Sequence, residues 1–445
     1  MISKLSRREF LKTSSAAAVA AGIGLSIGPA GAQEATKKVS ANDKIVIGVV
    51  GYGGRAQGVM GGFMSHEDCV VGAVCDVYDQ RLEAGLAAAG PQAKGYQDFR
   101  KLLEQKDLDA VIVTTPPHWH PLVSIMAMQA GKDVYCEKPI SRFPGEAVAM
   151  AKVARDNKRI TQVGTQIHSL DNFRRCVEIV RSGALGKVHT VRVICNMNDY
   201  PGGCGQVKNS RAPKGLDWDT WCGPAPYRPF NQARFTLHRY FKDYVGSWLN
   251  ELGPHIADLA FWAMDCGQPT SCTAIGGRFV ADDCGDIPDT VNVLWEFPGF
   301  NMTWMNTCGN SFDFGMSDEP SAANTGRGLG VIFQGTQGTL MGNYGWHRVV
   351  SEGDRMKDFV PPAPSIPSSP GHDREFLDSV KSRKQCPCSF EYHMPISVAL
   401  NLGHIALDTG RKVQWDAKKG QIVGDKEANA MVLPAYRKPW ALPKT

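Results

Sequence analysis

The first third of the chain alternates short, nearly unbroken apolar runs with longer stretches whose apolar residues recur at helical spacing. The runs Lys44 to Val50, Val70 to Cys75, Ala110 to Thr114, Asp133 to Lys138 and Ile160 to Gly164 read as strands buried on both faces. Between them, Gln80 to Ala89, Asp98 to Lys106, a segment ending near Gly131 and Gly145 to Asn157 read as helices. Such alternation predicts a doubly wound parallel sheet that closes near Thr165. The pattern then changes. A helix over Asn172 to Ser182 and a strand over Val188 to Asn196 are followed by β-rich runs at Cys272 to Phe279, Thr290 to Phe297, Met302 to Asn306, Gly330 to Gln334 and Arg348 to Ser351. Strands without regular intervening helices predict a mostly antiparallel sheet, with helices at Arg374 to Ser382 and Pro395 to Arg411 packed against the assembly. The fold class is α/β. Residues 43–165 form the parallel domain, 166–432 a second, α+β domain, and 433–445 an extended, proline-containing arm.

Upstream of this pattern, Ser6-Arg7-Arg8-Glu9-Phe10-Leu11-Lys12 is a twin-arginine sequence followed by an Ala-rich apolar run, Ala16 to Ile27, and a small-residue site at Ala30-Gly31-Ala32. Residues 1–32 are expected to be an export signal and 33–42 a polar lead-in, which places the protein in the periplasm with the twin-arginine machinery as a partner. The net charge is only +5 and the basic residues are scattered, so no nucleic-acid surface is expected. Thirteen cysteines show no metal spacing, and Cys386-Pro387-Cys388 is too tight to chelate zinc. Disulfides are conceivable, for example Cys266 with Cys272, without a readable connectivity. No metal site is expected.

The first strand runs straight into Gly51-Tyr52-Gly53-Gly54-Arg55-Ala56, a G-x-G-x-x-A fingerprint in strand-to-helix context. Gly51 would make the turn, Gly53 would let the backbone approach a pyrophosphate, and a helix amino terminus would face the phosphates. The second strand ends at Asp76, twenty residues after Ala56, where a carboxylate can accept from both ribose hydroxyls and repel a 2′-phosphate. NAD is therefore expected over NADP, although Arg81 could compensate for a 2′-phosphate. Thr115 and Pro116 lie at a strand end beside the same cleft, and Lys138-Pro139 ends the strand at Glu137, where a lysine could donate a proton to a substrate oxygen. Taken alone, that lysine reads more readily as a surface residue after an edge strand. His118 and His120 lack nearby acidic or cysteine ligands for a metal.

The glycine fingerprint, Thr115-Pro116-Pro117-His118-Trp119-His120, Glu137-Lys138-Pro139 and Gln162-Val163-Gly164-Thr165-Gln166, in that order, resemble the glucose-fructose oxidoreductase and inositol 2-dehydrogenase (Gfo/Idh/MocA) family. Trp218 to Pro226, Leu402-Gly403-His404-Ile405-Ala406 and Tyr436-Arg437-Lys438-Pro439-Trp440 resemble its exported, twin-arginine branch. The resemblance implies a Rossmann domain, a large open sheet in the second domain, a homo-oligomer, and NAD(P)-dependent oxidation or reduction of a sugar, sugar derivative or cyclitol. It implies cofactor contacts from Gly51, Gly53, Gly54, Arg55, Ala56 and Asp76. It adds Thr115, Pro116, His120, Glu137, Lys138 and Gln166, and it makes Lys138 a catalytic residue.

A second constellation is Gly246 to Asp258, in which Glu251, His255 and Asp258 fall at i, i+4 and i+7. Pro254 suggests that a helix starts there, leaving Glu251 in the preceding turn. His255 matches the family's general base on the hydroxyl being oxidised; from the residues alone it reads first as a buried histidine satisfied by Asp258. Glu251 stands where the family carries an aspartate, and Ser247 where a glycine is usual. Trp221, Trp248 and Trp262 could stack on a sugar, and Arg174, Arg228 and Arg234 could meet an acidic group. Gly309 to Gly328, with Asp313, Asp318 and Glu319, could cover the site. Two alternatives stand beside a dehydrogenase: a redox-neutral NAD-dependent glycosidase or lyase, and a non-catalytic sugar-binding protein.

Overall fold

In the computed structural model, which describes residues 43–200, 202–316 and 327–445, the parallel sheet is built from β1 (Ile45–Val50), β2 (Cys69–Cys75), β3 (Lys94–Tyr96), β4 (Ala110–Val113), β5 (Asp133–Glu137) and β6 (Thr161–Gly164). Its order is β3-β2-β1-β4-β5-β6, and every neighbouring pair is parallel. The inner strands are unbroken apolar runs because helices cover both faces: every residue of β4, β5 and β6 is buried. The helices are α1 (Gly54–Met64), α2 (Asp79–Ala89), α3 (Phe99–Leu103), α4 (His120–Gln129) and α5 (Pro144–Asp156). Pro144 opens α5, and the Glu146 carboxylate accepts from the Arg142 and Phe143 amides at 2.8 and 3.1 Å, satisfying donors that a helix start leaves free. The twin-arginine signal, the lead-in and Asp318 with Glu319 lie outside the described residues.

The second domain contributes α6 (Asp171–Arg181), β7 (Val188–Met197), α7 (Trp218–Cys222), α8 (Gln232–Thr236) and α9 (Trp248–Met264). It continues with β8 (Ser271–Gly277), β9 (Thr290–Phe297), β10 (Phe300–Thr307), β11 (Arg327–Gly335), β12 (Gly338–Gly342) and β13 (His347–Ser351). It ends with α10 (His372–Ser382), α11 (Phe390–Thr409), β14 (Val413–Asp416), β15 (Gln421–Val423) and α12 (Lys426–Ala430). The nine strands run β13-β12-β11-β7-β10-β9-β8-β14-β15. Neighbours are antiparallel except β7 with β10, which are parallel. Helices α6, α9 and α11 cover one face. Val291, Val293, Trp295 and Phe297 point into that core, while Asn292 and Leu294 alternate outward.

Two helices depart from the sequence reading. Helix α9 begins at Trp248 rather than at Pro254, because Ser247 Oγ caps it by accepting from the Leu249 amide at 3.1 Å. The proline ring disturbs the turn before it, and the Glu251 carbonyl there accepts from Lys138 Nζ at 2.8 Å. Helix α11 begins at Phe390, not Pro395, for a similar reason: Ser389 caps it and Phe390 is wholly buried.

Late segments return to the first domain. Helix α10 lays Phe376, Leu377 and Val380 against Phe63 of α1 and Tyr135 of β5. The Cys388 carbonyl accepts from the Val163 amide at 2.8 Å. The segment after β7 crosses as well, with the Asp79 amide donating to the Gly215 carbonyl and the Asp217 amide to that of Val77, both at 3.0 Å. The carboxyl-terminal arm folds over its own chain. Gly145 donates to the Val432 carbonyl, Tyr436 donates to Glu146 at 2.6 Å, and Arg437 spans Asp219, Gly223 and Ala225.

Candidate active site

At the carboxyl ends of β1, β2 and β4 lies a cavity of about 450 Å³, the size range of small-molecule sites. Gly51, Gly53, Gly54, Thr115 and Pro116 line one side; Asp217, Thr220, Trp221, Phe235 and His238 line the other. Gly51 has φ +88°, and a Cβ there would stand 2.8 Å from the Thr115 amide nitrogen, so the β1 turn tolerates no side chain. A Cβ on Gly54 would meet nothing within 4 Å, and one on Gly53 only Arg81 Nη1 at 3.8 Å. Helix α1 starts at that point without a side-chain cap, which leaves first-turn amides for an anion. Around the cavity, Thr115 Oγ1, Trp221 Nε1 and Trp440 Nε1 are buried without a protein partner. An open glycine cradle, uncapped amides and unpaired donors together fit a dinucleotide.

Asp76 holds this cradle as well as facing it. Its carboxylate accepts from the Tyr52 amide at 2.6 Å and the Tyr78 amide at 2.9 Å. Burial pushes its pKa up, against those bonds and the Arg81 charge. Arg81 lies over the Phe235 ring at 4.2 Å and lines the same cavity. Arg55, in the first turn of α1, reaches across to β5 and donates to Glu137 at 2.9 Å; Tyr135 donates to the same oxygen at 3.3 Å. Glu137 therefore orients Arg55 rather than presenting a free carboxylate. Ala56 is fully buried and serves helix packing, and Gln166 is half-buried outside the cavity.

His120 corrects the expectation of a cofactor contact. It is 1 % exposed, and its two ring nitrogens each lie 2.7 Å from a backbone carbonyl, of Pro139 and of Thr115. Burial outweighs those carbonyls and holds its pKa at about 4, so the neutral ring donates to one of the two carbonyls while its other nitrogen lies against the second. The ring ties the Thr115 turn to the Lys138-Pro139 turn and leaves no nitrogen for a nucleotide.

Beyond His238 the site turns from backbone to charge. Lys138 Nζ donates to Glu251 twice, to the carboxylate at 2.9 Å and to the carbonyl at 2.8 Å, and both side chains are less than one-fifth exposed. Burial would raise the Glu251 pKa, but Lys138 overrides it and holds the carboxyl below its ordinary range. His255, one turn further along α9, is half-buried. Its Nδ1 has no protein partner, and burial together with the Lys138 and Arg55 charges keeps the ring neutral. Asp258 does not satisfy it. That carboxylate instead accepts from His168 at 3.1 Å, Thr165 at 3.2 Å and Tyr392 at 2.5 Å. His168, Asp258 and Cys388 bring possible ligand atoms within 4.8 Å of one another, yet each already has a hydrogen-bonded partner in the protein.

The sequence reading missed two residues. His238 lines the cavity, with its pKa pushed by burial to about 4 and with Glu251 and Lys138 as charged neighbours. Trp440 reaches the cavity from the arm, edge-on to Trp119 at 4.7 Å and beneath Arg100. Nothing around the lone histidine singles it out, and the segment containing Trp440, which resembles the family, gives no local sign that this ring reaches the cavity. Of the other candidates, Trp248 is buried against Tyr240 and Trp262 is stacked on His168. Arg174, Arg228 and Arg234 are spent on Asp171, Asp243 and the Phe241 ring.

Comparison with known proteins agrees with this geometry. Residues 45–165 match the oxidoreductase family, NAD-binding Rossmann fold, and residues 171–273 with 346–442 match that family's C-terminal alpha/beta domain. The chain is 30 % identical over 203 residues to a glycosyl hydrolase family 109 protein of Solibacter usitatus, a match covering 42 % of this chain and 44 % of that protein. It is 31 % identical over 116 residues to inositol 2-dehydrogenase of Salmonella typhimurium, covering 26 % and 34 %. The matched stretches thus span less than half the length of these curated relatives. Among solved structures, GenD2 from gentamicin A biosynthesis in complex with NAD superposes with a TM-score of 0.60 at 19 % identity, over 88 % of this chain and all of that one. Aldose-aldose oxidoreductase from Caulobacter crescentus gives 0.59 at 19 %, over 84 % and 100 %. A glycine cradle shaped for NAD, followed along the groove by a buried lysine–glutamate pair, sits in a chain matched in both of its halves; the protein belongs to the Gfo/Idh/MocA family of NAD-binding oxidoreductases.

Proposed function

We propose that the protein oxidises or reduces a hydroxyl-bearing carbon of a sugar, sugar derivative or cyclitol, and that it does so with a nucleotide it retains. Bound NAD(H) supplies the hydride acceptor or donor. The observation that carries the reading is the Lys138–Glu251 pair with neutral His255 one turn away. Glu251 occupies two of the three Lys138 Nζ protons and fixes the ammonium in place, so the third is free for a substrate oxygen. A neutral imidazole can take the proton of that hydroxyl at Nε2, since Nδ1 is the nitrogen buried in the protein. His238, Trp221 and Phe235 of the 215–240 segment line the groove.

Retention is supported by the two walls that close the cavity, the 215–240 segment bonded to the end of β2 and the arm carrying Trp440. We further propose export through the twin-arginine route, on the strength of Ser6 to Lys12. A compartment without a free dinucleotide pool would require that retention. Among the described residues no helix is long and apolar enough to cross a membrane.

A second reading, redox-neutral elimination after transient oxidation, is favoured by His238, a second neutral histidine near the pair, and by the likeness to glycosyl hydrolase family 109 proteins. One experiment separates the two. Purified protein is titrated with a panel of sugars, glycosides and cyclitols while the absorbance of reduced nicotinamide is followed. A lasting absorbance change indicates net redox chemistry, and a transient change with release of a leaving group indicates the second reading. No change with any member would overturn both.

A further inference from the structure

All thirteen cysteines are thiols in the structure, and all but Cys266 and Cys284 are buried. The Cys284 sulfur lies 3.7 Å from that of buried Cys204, 80 residues away in the chain. Their backbones are bonded side by side, the Cys284 amide donating to the Gly205 carbonyl at 3.0 Å. Asp283 fixes both turns: its carboxylate accepts from the Cys204 amide and the Gly285 amide, each at 2.9 Å, and from Arg278 at 2.8 Å. Two sulfurs 3.7 Å apart on backbone turns bonded to each other have to close to roughly 2.05 Å to form a disulfide.

We propose that Cys204 and Cys284 form a disulfide when the protein meets a disulfide-bearing oxidant, and that this cross-link stiffens the wall that carries His238. The half-exposed Cys284, as thiolate, attacks a low-molecular-weight disulfide and expels one of its halves as a thiol. Cys204 then gives up its proton and attacks Cys284 Sγ, and the second half leaves carrying that proton. Two protein thiols are oxidised and one small disulfide is reduced to two thiols. Burial and the Asp283 charge push the Cys204 thiol up, so the second step is the slow one.

The consequence reaches the groove through Tyr240. Tyr240 donates to Asp199 from one turn, and its carbonyl accepts from Asp286 at 3.0 Å in the other. Cross-linking the two turns clamps the short helix His238–Tyr240, whose first residue lines the cavity.

The test treats the full-length, nucleotide-loaded protein with oxidised glutathione or with a phosphine reductant, counts thiols after denaturation and maps cross-linked peptides. Two of the thirteen thiols should be lost, in a peptide joining Cys204 to Cys284. The oxidised form should melt a few degrees higher, since the closed loop is long. Amide exchange over residues 238–246 should slow. Cys284→Ser and Cys204→Ser should each abolish the rise and the slowing while melting like the reduced protein. Persistence of all thirteen thiols, glutathione retained on Cys284 without resolution, or a cross-link between other cysteines would overturn the proposal. Because the oxidant is added in vitro, the outcome is independent of whether the protein is exported.

Discussion

The two ends of the groove achieve recognition by opposite means. At the nucleotide end the protein withholds side chains: Gly53 and Gly54 face open space and α1 begins uncapped, so affinity rests on backbone amides and ring walls. At the reaction end it concentrates them, burying a cation, an anion and two neutral histidines within one layer. The first end is strict about volume at Gly51, where a Cβ would stand 2.8 Å from the Thr115 amide nitrogen. The second is strict about charge, because a buried ion that loses its partner bears its full desolvation cost.

That contrast breaks most sharply at Lys138. Lys138→Met should lower turnover roughly 10²-fold or more while nucleotide still binds, and His255→Ala should do the same. Lys138→Met also strands the Glu251 charge. The double variant with Glu251→Gln should therefore recover melting temperature without recovering turnover, which calorimetry and steady-state rates together will show. Volume is the corresponding weakness at the other end. Gly51→Ala puts a methyl against the Thr115 backbone at a left-handed φ, and should weaken nucleotide binding by about tenfold or more, measured by titration calorimetry.

The arm offers a finer probe. Trp440→Ala removes an edge-on ring pair of the kind worth about 0.5–1.5 kcal/mol beyond its buried area, and should speed nucleotide release about tenfold with little change in turnover at saturating nucleotide. Stopped-flow displacement would measure it, and an unchanged off-rate would show the arm to be a structural strap only. A separate probe is pH. Burial holds His120, His238, His372 and His404 at about 4, whereas an unfolded chain titrates them near 6.5. Between those values the unfolded state binds more protons, so these histidines should make stability fall as pH drops from 6.5 toward 4 and should add no slope above 7. Melting curves at pH 7, 6 and 5 would test this, and His404→Asn should soften the decline.

Sequence reading served the two ends unequally. Apolar runs buried on both faces and a glycine fingerprint are local signals, so β1, β2, β4, β5 and β6 and the cradle were readable in the chain within a residue or so at most boundaries. Strands β3, β12, β14 and β15 were not: no two neighbouring residues in them are both buried, so they lack the unbroken buried run that marks β4, β5 and β6 at similar length. Pro254 misled because a tertiary bond from Lys138 takes up a carbonyl in the disturbed turn, and nothing in the local pattern announces that bond. His120 lies in a segment shared with the family yet spends its ring on two carbonyls, which only the fold reveals. His238 and Trp440 arrive at the groove across more than a hundred residues of chain.

The pairing of β7 with β10 and β11, and of α10 with α1 and β5, has a bearing on the order of events during synthesis. Strand β7 cannot take its place until residues beyond 327 exist, and the outer layer over α1 is supplied only after residue 372. Contacts this distant are expensive in loop entropy before they are rewarded, so folding is slow and late. A growing chain holding only residues 43–165 would have its nucleotide cradle in sequence but would leave Phe63 and Tyr135 without the helix that covers them. The cradle therefore becomes competent only after the residues of α10 have been made, and NAD can act as a late ligand that draws the chain into its folded state.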